Sequence, residues 1–420
     1  MRLRAGVLLV VLASCRGAPE RVGFRLRIAT VGDLTPLGPL TDSSWSMAAQ
    51  DWVFQPVARA AGGAGGQLAR SVERLNEKAV RVQLDPAATF SDGSPASAEV
   101  VASALRSAGL EVAVRDGSLE VSARGGSPVD GLLAGTLISR TSSAGPVGTG
   151  PFVVVEQGPA HLVLRRREPR PNHILEVEMT GYPTSRDAFA HVLRGEADAL
   201  IDVDPRLAEL FDGVKRLRLI SAPGIHQLAV LFNSERFSAR ERVGLVGALS
   251  APAIAEFAYG SHCPASSAAV ATGRPPSGRP LQVMAVDDSQ SDRAGLAVVR
   301  ALGSRAGELV RVQARVAQER SFAHDYDITI GRLLMSPPSM LARWFHSGAS
   351  LNFTAYSNRD VDAALDRRDW AAARNALERD PPGVFICRPD RLAVVDVRVK
   401  TPRLGPYGYL ETLPDWEVSP

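Results

Sequence analysis

Phe90-Ser91-Asp92-Gly93-Ser94-Pro95-Ala96-Ser97-Ala98-Glu99-Val100-Val101 reads as a tight turn that feeds a helix. Asp92-Gly93 suits the turn because glycine accepts a positive φ at little cost, and Pro95 stiffens the approach to the helix. Ser97 is placed to cap that helix, which carries Val100, Val101, Ala104 and Leu105 along one face. Upstream, residues 79–84 alternate with period two and predict a strand. Downstream, residues 112–114 and 119–121 flank Asp116-Gly117 and predict a hairpin. The stretch therefore belongs to a small unit of mixed helix and strand.

The alternation continues outward. Residues 24–31 predict a strand, after which Asp33-Leu34-Thr35-Pro36-Leu37-Gly38-Pro39-Leu40 breaks the pattern with prolines. Residues 61–66 read as a Gly/Ala loop, and 152–155 with 161–165 as a second hairpin whose return strand ends in Arg165-Arg166-Arg167. Ser185 is placed to cap a helix with Phe189, Val192 and Leu193 at helical spacing, stopped at Gly195. Strands are expected at 199–203 and 226–232, a helix over 240–249, and a Gly/Pro loop at 271–280. Residues 283–286, 293–302 and 309–316 read as a β-α-β unit, followed by a strand at 326–330. Asn358 caps a helix with Val361, Ala364 and Leu365 inward, and strands follow at 384–387 and 392–397. Helices and strands alternate without repeat, so we expect mixed α/β structure in more than one lobe.

The N-terminus has a different character. Arg2 and Arg4 precede an apolar run at 5–12, and Leu12-Ala13-Ser14-Cys15 follows. A membrane-spanning helix needs about 20 apolar residues, so residues 1–14 read as a secretory signal. Its ending resembles the bacterial lipobox, which makes Cys15 the expected lipidation site and 15–23 a short tether. Several acyl chains, at about 0.8 kcal/mol per buried methylene, would hold a soluble body at a membrane surface. A plain signal peptide with a chance cysteine, or a buried N-terminal strand, is the alternative. The expected location is the periplasmic or cell-surface side of a bacterial membrane. Without the leader about 400 residues remain, too many for one core. The formal charge is only +3, with acids and bases interleaved, which makes nucleic acid a poor partner. Cys263 and Cys387 remain; export would permit a disulfide between them, and two buried thiols are the alternative.

Catalytic signatures are missing from the sequence. It has no Gly-x-Ser-x-Gly, His-Glu-x-x-His or Cys-x-x-Cys, and no phosphate loop ending in Gly-Lys-Ser/Thr. The histidines are scattered, so His226 and His346 read as surface or satisfied core residues. Asp287-Asp288 and the Asp202/Asp204 pair read as solvated loop carboxylates. No catalytic residue, metal or cofactor is assigned.

In chain order, several segments resemble one family. Phe90 to Pro95 with Ala98-Glu99 and Val100-Val101 resembles the F-x-D-G-x-P…A-E-D-V segment of the peptide/nickel-type solute-binding proteins of ABC importers, solute-binding protein family 5. Gly148-Thr149-Gly150-Pro151-Phe152 resembles its G-T-G-P-Y/F turn, and Leu193-Arg194-Gly195-Glu196-Ala197-Asp198 its L-x-x-G-E-x-D helix exit. Leu231-Phe232-Asn233, Asp325-Tyr326-Asp327 and Tyr356-Ser357-Asn358 with Val361-Asp362 and Leu365 resemble its F-N, D-Y-D and Y-S-N-x-x-V-D-x-x-L stretches.

The resemblance implies an α/β, bilobed, periplasmic-binding-protein-like fold (type II, cluster C-like) with a discontinuous first lobe and a small inserted subdomain. Lobe I would take residues 24–45, 147–235 and 384–420, the inserted subdomain 46–146, and lobe II 236–383. Gly148 and Gly150 would sit where the chain passes back between lobes. It also implies a monomer that captures a small solute, oligopeptides among the candidates, and delivers it to ABC permease subunits, touching the membrane only through its lipid anchor. Trp45, Trp52 and Gln55 are the expected cleft residues of one wall, with Asn233, Arg332, Trp344 and Tyr356 opposite; a core position is the alternative for each tryptophan.

Two departures stand out. After Ser261-His262-Cys263-Pro264 the family has a long stretch with its own helix, where this chain has a Gly/Pro loop leading to Val283. Many peptide binders also carry tryptophan and then aspartate after D-Y-D, the aspartate pairing with the peptide's α-amine, where this chain has Leu333 and Ser336. A buried ammonium would lack its partner, and Arg332, if it faces the cleft, would favour a carboxylate or other anion; a surface arginine is the alternative. A non-transport receptor or scaffold lipoprotein that kept the fold but lost ligand delivery is the second functional reading, and an exported hydrolase the third.

Overall fold

The computed structural model describes residues 24–32, 34, 37, 44–58, 68–76, 79–123, 129, 133, 136–142, 145–264, 277–335, 338–405, 410 and 412–419. The signal and tether expected at 1–23, Cys15, the loops at 61–66 and 271–276, Ser336 and the side chain of Trp45 lie outside the described residues.

A seven-stranded sheet runs in the order Leu217–Ala222, Arg391–Asp396, Ala199–Ile201, Phe24–Val31, Ile174–Tyr182, His161–Arg166 and Phe152–Gly158. Phe24–Val31 is parallel to both neighbours, and the remaining pairs are antiparallel. A five-stranded sheet runs Ala306–Val312, Leu281–Val286, Ile328–Leu334, His226–Phe232 and Gly383–Cys387. Its first three strands are parallel, as a β-α-β unit with the helix Ser289–Leu302 requires. Both sheets are buried on two faces. In His226–Phe232, Leu228, Val230 and Phe232 enter one core while Ala229 and Leu231 enter the core opposite, which is why the strand is apolar throughout instead of alternating.

The four-stranded antiparallel sheet Ala69–Asn76, Ala79–Leu84, Ser118–Ala123 and Leu110–Arg115 carries the opening stretch. Gly93 has φ 84°, and the Ser97 hydroxyl caps the helix Ala98–Ser107. Val101, Ala102 and Leu105 are the buried face of that helix, packed on Val80, Val82, Leu119 and Val121. Asp116 and Gly117 both take positive φ in the hairpin turn, as two-residue hairpins demand.

The glycines of Gly148-Thr149-Gly150 serve a different end from the expected reversal between lobes. A Cβ at Gly148 would stand 1.9 Å from the Val53 carbonyl oxygen, and one at Gly150 would stand 2.2 Å from that of Trp52. They admit a second backbone at close range. The Ser91 amide donates to the Gly148 carbonyl at 2.8 Å, and the Arg167 guanidinium donates to Phe90 O and Thr89 Oγ1, both at 2.8 Å. The two motifs are thus one joint.

Two expectations are corrected. The helix Ser185–Leu193 is capped by Thr184, whose hydroxyl accepts from the Asp187 amide at 3.1 Å, because Thr184 has the extended backbone a cap needs and Ser185 is already helical. The sheets also divide the chain elsewhere than at 235/236 and 383/384. His226–Phe232 and Gly383–Cys387 pair with each other in the five-stranded sheet. The chain therefore leaves the seven-stranded sheet after Ala222 and regains it at Arg391. Among the described residues no single helix is long and apolar enough to cross a membrane.

Candidate functional site

The chain passes between the large sheets at 223–225 and again at 388–390. These crossings touch backbone to backbone: a Cβ at Gly224 would stand 2.0 Å from the Pro389 carbonyl oxygen. Beside them lies a small recess, open to solvent. Asp202 and Arg391 line it from the seven-stranded sheet, and His226, Tyr259, Gln290 and Arg332 from the other side.

Local structure sets each of these side chains. His226 opens its strand opposite Leu334, and Arg332 lies opposite Leu228 in the same pairing, so His226 and Arg332 share a face. Burial pushes the His226 imidazole down to about 4, with Arg391 and Arg332 adding to the shift. It is therefore neutral near pH 7. Arg332 donates to Asp288 Oδ1 at 2.9 Å. That carboxylate also caps the helix Ser289–Leu302, accepting from the amides of Gln290 and Ser291. Tyr259 closes the helix Ala251–Tyr259 and is 1% exposed. Its hydroxyl lies by the Arg332 guanidinium, without a hydrogen bond of ordinary geometry. Burial raises its pKa, and the nearby Arg332 guanidinium opposes that shift. Asp202 is exposed and held at φ 55°, an uncommon conformation for a non-glycine residue. Burial raises the pKa of Asp390 in the second crossing, with His262 opposing.

Asp204 joins the two sides. It caps the short helix Pro205–Ala208 and reaches across to Ser289 Oγ at 2.6 Å and to Arg293 at 2.7 and 3.1 Å. Arg206 makes a second link, donating to the Glu256 carbonyl at 2.5 Å. Cys263 and Cys387 are joined as a disulfide, Cα atoms 5.6 Å apart, which ties the segment after Tyr259 to the strand leading into the second crossing.

Of the residues expected to bind ligand, the recess brings in Arg332 alone. Trp52 is fully buried in the core of the seven-stranded sheet, its indole N–H donating to the Leu410 carbonyl at 2.8 Å, so it offers no surface to a ligand. Tyr356 is buried on the far face of the five-stranded sheet and donates to the Asp380 carbonyl at 2.8 Å. Trp344 is half-buried in that same core, with its N–H on the Leu334 carbonyl at 2.8 Å. Asn233 is 1% exposed, and its amide holds the carbonyls of His324 and Tyr326. Each of these four has its polar group met inside the protein. Gln55 is half-buried, takes the Ile138 amide on its carbonyl and does not line the recess.

Sequence reasoning set aside Asp204, Asp288 and His226 and did not single out Tyr259, all of which the structure brings to the site. Asp204 and Asp288 are caps and ion-pair partners instead of solvated loop carboxylates, and Asp204-Pro205 and Asp288-Ser289 before a helix were the signal available. His226 and Tyr259 had none. Among the described residues no three His, Cys, Asp or Glu side chains gather as a metal site.

The fold is that of ABC-transporter substrate-binding proteins of the peptide/nickel type. CtaP from Listeria monocytogenes superposes with a TM-score of 0.81 over 95% of this chain and 100% of its own, at 16% identity. AppA from Bacillus subtilis, an oligopeptide-binding protein holding a nonapeptide, gives 0.79 over 95% and 99%, at 15% identity. NikA from Staphylococcus aureus, in complex with Ni(L-His)2, gives 0.78 over 94% and 100%, at 13% identity. No protein-family model and no curated protein matches the sequence. The expected α/β, periplasmic-binding-protein-like fold class is correct, and these neighbours are substrate-binding proteins, not enzymes.

Proposed function

We propose that this chain is an exported solute-binding protein, lipid-anchored at Cys15, that captures a small solute between two lobes and hands it to the permease of an ABC importer. The observation that carries the reading is the pair of crossings at 223–225 and 388–390, with a polar recess beside them lined from both large sheets. In this division one lobe holds the seven-stranded sheet with the four-stranded unit beside it, and the other holds the five-stranded sheet. Two short links packed on each other suit a hinge about which lobes close on a ligand. Closure is favoured only by contacts the ligand makes with both walls. The likeness to proteins holding a nonapeptide or Ni(L-His)2 supports capture of a solute of that size range. Lipidation rests on Leu12-Ala13-Ser14-Cys15, and it would keep the body beside the membrane that receives the cargo, acting as a monomer with no cofactor and no chemistry of its own.

Native mass spectrometry of protein purified without refolding should show a small molecule that is released on denaturation. If the chain is always ligand-free, and oligopeptide, metal-chelate and glycan pools leave its melting temperature unmoved, the reading fails and a receptor or scaffold role takes its place. Cys15→Ser should move the protein from the membrane fraction to the soluble one. Retention in membranes would refute the anchor.

A further inference from the structure

We propose that the segment Ser261-His262-Cys263 is a clamp on the second crossing. It fastens 388–390 to the body of the five-stranded sheet and leaves bending between the lobes to the Asp390-Arg391 junction and to the first crossing. The clamp rests on the two-lobe reading above and names the part of the chain that governs the motion.

Three observations lead to it. First, the segment is rooted in a packed body. The helix Ala251–Tyr259 buries Ile254, Ala255, Ala258 and Tyr259 in the core of the five-stranded sheet. Gly260 ends that helix at φ 59°, a conformation that favours glycine, and turns the chain aside. Cys263 then re-enters the same core and is buried there. Second, the segment grips both ends of the crossing. Cys263 is bonded to Cys387, the last residue of Gly383–Cys387, and the Asp390 amide donates to the His262 carbonyl at 2.8 Å. Between these grips stand only Arg388 and Pro389, and proline fixes its own φ. The sheet gives no such hold at that point, because the pairing of His226–Phe232 with Gly383–Cys387 ends where Leu228 meets Cys387. Third, the next residue already belongs to the other sheet, since Arg391 stands opposite Ala222. A rotation of one lobe against the other must therefore be absorbed in the dihedrals that join Asp390 to Arg391.

The first crossing is built otherwise. Among the described residues, no disulfide and no backbone hydrogen bond outside the strand ladders holds 223–225. What locates it is the close contact of Gly224 with the Pro389 carbonyl. The clamped crossing is thus the bearing on which the looser one rides, and a few residues at the ends of elements take up the change of angle, as in hinges generally. The bridge spans a sequence separation of 124 residues, so it also stabilises the whole fold by constraining the unfolded chain. The local hold and the global one are separable by where the protein opens.

The test uses the ligand-free mature protein and hydrogen–deuterium exchange read by mass spectrometry. Cys263→Ala with Cys387→Ala removes the bridge and leaves small apolar side chains in the core. Exchange over 387–391 should quicken at least about tenfold more than exchange over 328–334, as an opening confined to one segment requires. Small-angle X-ray scattering should show a wider pair-distance distribution for the same variant. Gly224→Ala is the complement, with the bridge intact. It drives the first crossing off the Pro389 carbonyl, so exchange over 224–227 should quicken while the Asp390 amide keeps its protection. The clamp is overturned if the double variant quickens both segments by one factor, as a bridge that only stabilises the core would. It is overturned equally if the distance distribution matches the parent's, or if Gly224→Ala frees the Asp390 amide. Should the double variant not fold, Gly224→Ala decides alone. No ligand enters these measurements, so the clamp can fail while solute capture stands, and a failure of capture leaves them readable.

Discussion

Asp327, just before the strand Ile328–Leu334, and the recess at Tyr259 treat buried polar groups in opposite ways. Asp327 is fully enclosed, and its oxygens accept from Arg236 at 2.8 Å, Arg279 at 2.6 and 2.8 Å, and the Gln282 amide at 2.9 Å. Burial alone would raise its pKa, but these donors outweigh it and hold the carboxyl below its ordinary value. The seven-stranded sheet repeats the device: Asp198 takes Arg27 and Arg398, and Asp396 takes Arg398 and Arg216. At the recess a hydroxyl has no hydrogen bond of ordinary geometry, an imidazole is held neutral, and Asp202 sits in a left-handed conformation. Asp327 and Asp198 lie in stretches that resemble the family, D-Y-D and L-x-x-G-E-x-D, while Asp396 ends the strand Arg391–Asp396. These cages build the scaffold, while the recess is lined by groups without such a full set of partners.

The sharpest way to break this contrast is to open a cage. Asp327→Ala would leave the partly exposed guanidinium groups of Arg236 and Arg279 and the buried Gln282 amide contact without their acceptor, and because water reaches the arginines the cost should be about 2–3 kcal/mol. Denaturant unfolding should show that loss. A loss under about 1 kcal/mol would mean that water replaces the carboxylate and the cage is not closed.

Acid should then separate the two regions. The folded pKa of His226, about 4, lies below its ordinary 6.5, so the folded chain binds fewer protons than the unfolded one in that window. Stability is full above the upper value and falls as pH drops toward the lower one, by on the order of 2 kcal/mol after allowance for partial exposure. Asp327 is also shifted down, but in a more acid window: its contribution is present above the ordinary carboxylate value and is lost only as pH falls through its depressed one. Urea midpoints at pH 7.5 and 4.5 should therefore converge in His226→Gln and differ in the parent. Parallel declines in the two proteins would detach acid sensitivity from the recess.

What was legible in the sequence was local. Gly93 before Ser97, Asp116-Gly117 and Gly195 each announce a turn or cap through their own backbone needs, and the structure uses them so. Gly148 and Gly150 were visible as glycines, but their reason is the carbonyl oxygens of Val53 and Trp52, distant in the chain. Trp52 looked like a cleft residue because a large ring serves a ligand and a core equally well; its partner Leu410 decides the matter. Thr184 and Ser185 are adjacent hydroxyls, and only the backbone angle separates cap from first helical residue. Tyr259 was out of reach altogether. Its place beside Arg332 depends on elements distant in the chain, and no spacing rule encodes that.

Asp204 tests the border between the two regions, with the smallest effect. In chemistry it is a closed cage: burial would raise its pKa, but Arg293, Ser289 and the Arg206 amide prevail and lower it. In position it belongs to the recess, because its own helix Pro205–Ala208 follows the seven-stranded sheet while Ser289 and Arg293 stand beyond the crossings. Asp204→Asn keeps a good helix cap and drops the charge across the gap. The global cost should be about 1–2 kcal/mol, since one charged partner is replaced by a neutral one that still hydrogen-bonds. If the two sides move as lobes, that energy belongs to the closed arrangement. The ligand-free variant should then show a larger radius of gyration by small-angle X-ray scattering, and its ligand affinity should fall by the factor by which the closed population fell. A stability loss with an unchanged radius would place Asp204 with Asp327, as scaffold, and leave the crossings at 223–225 and 388–390 to set the opening by themselves.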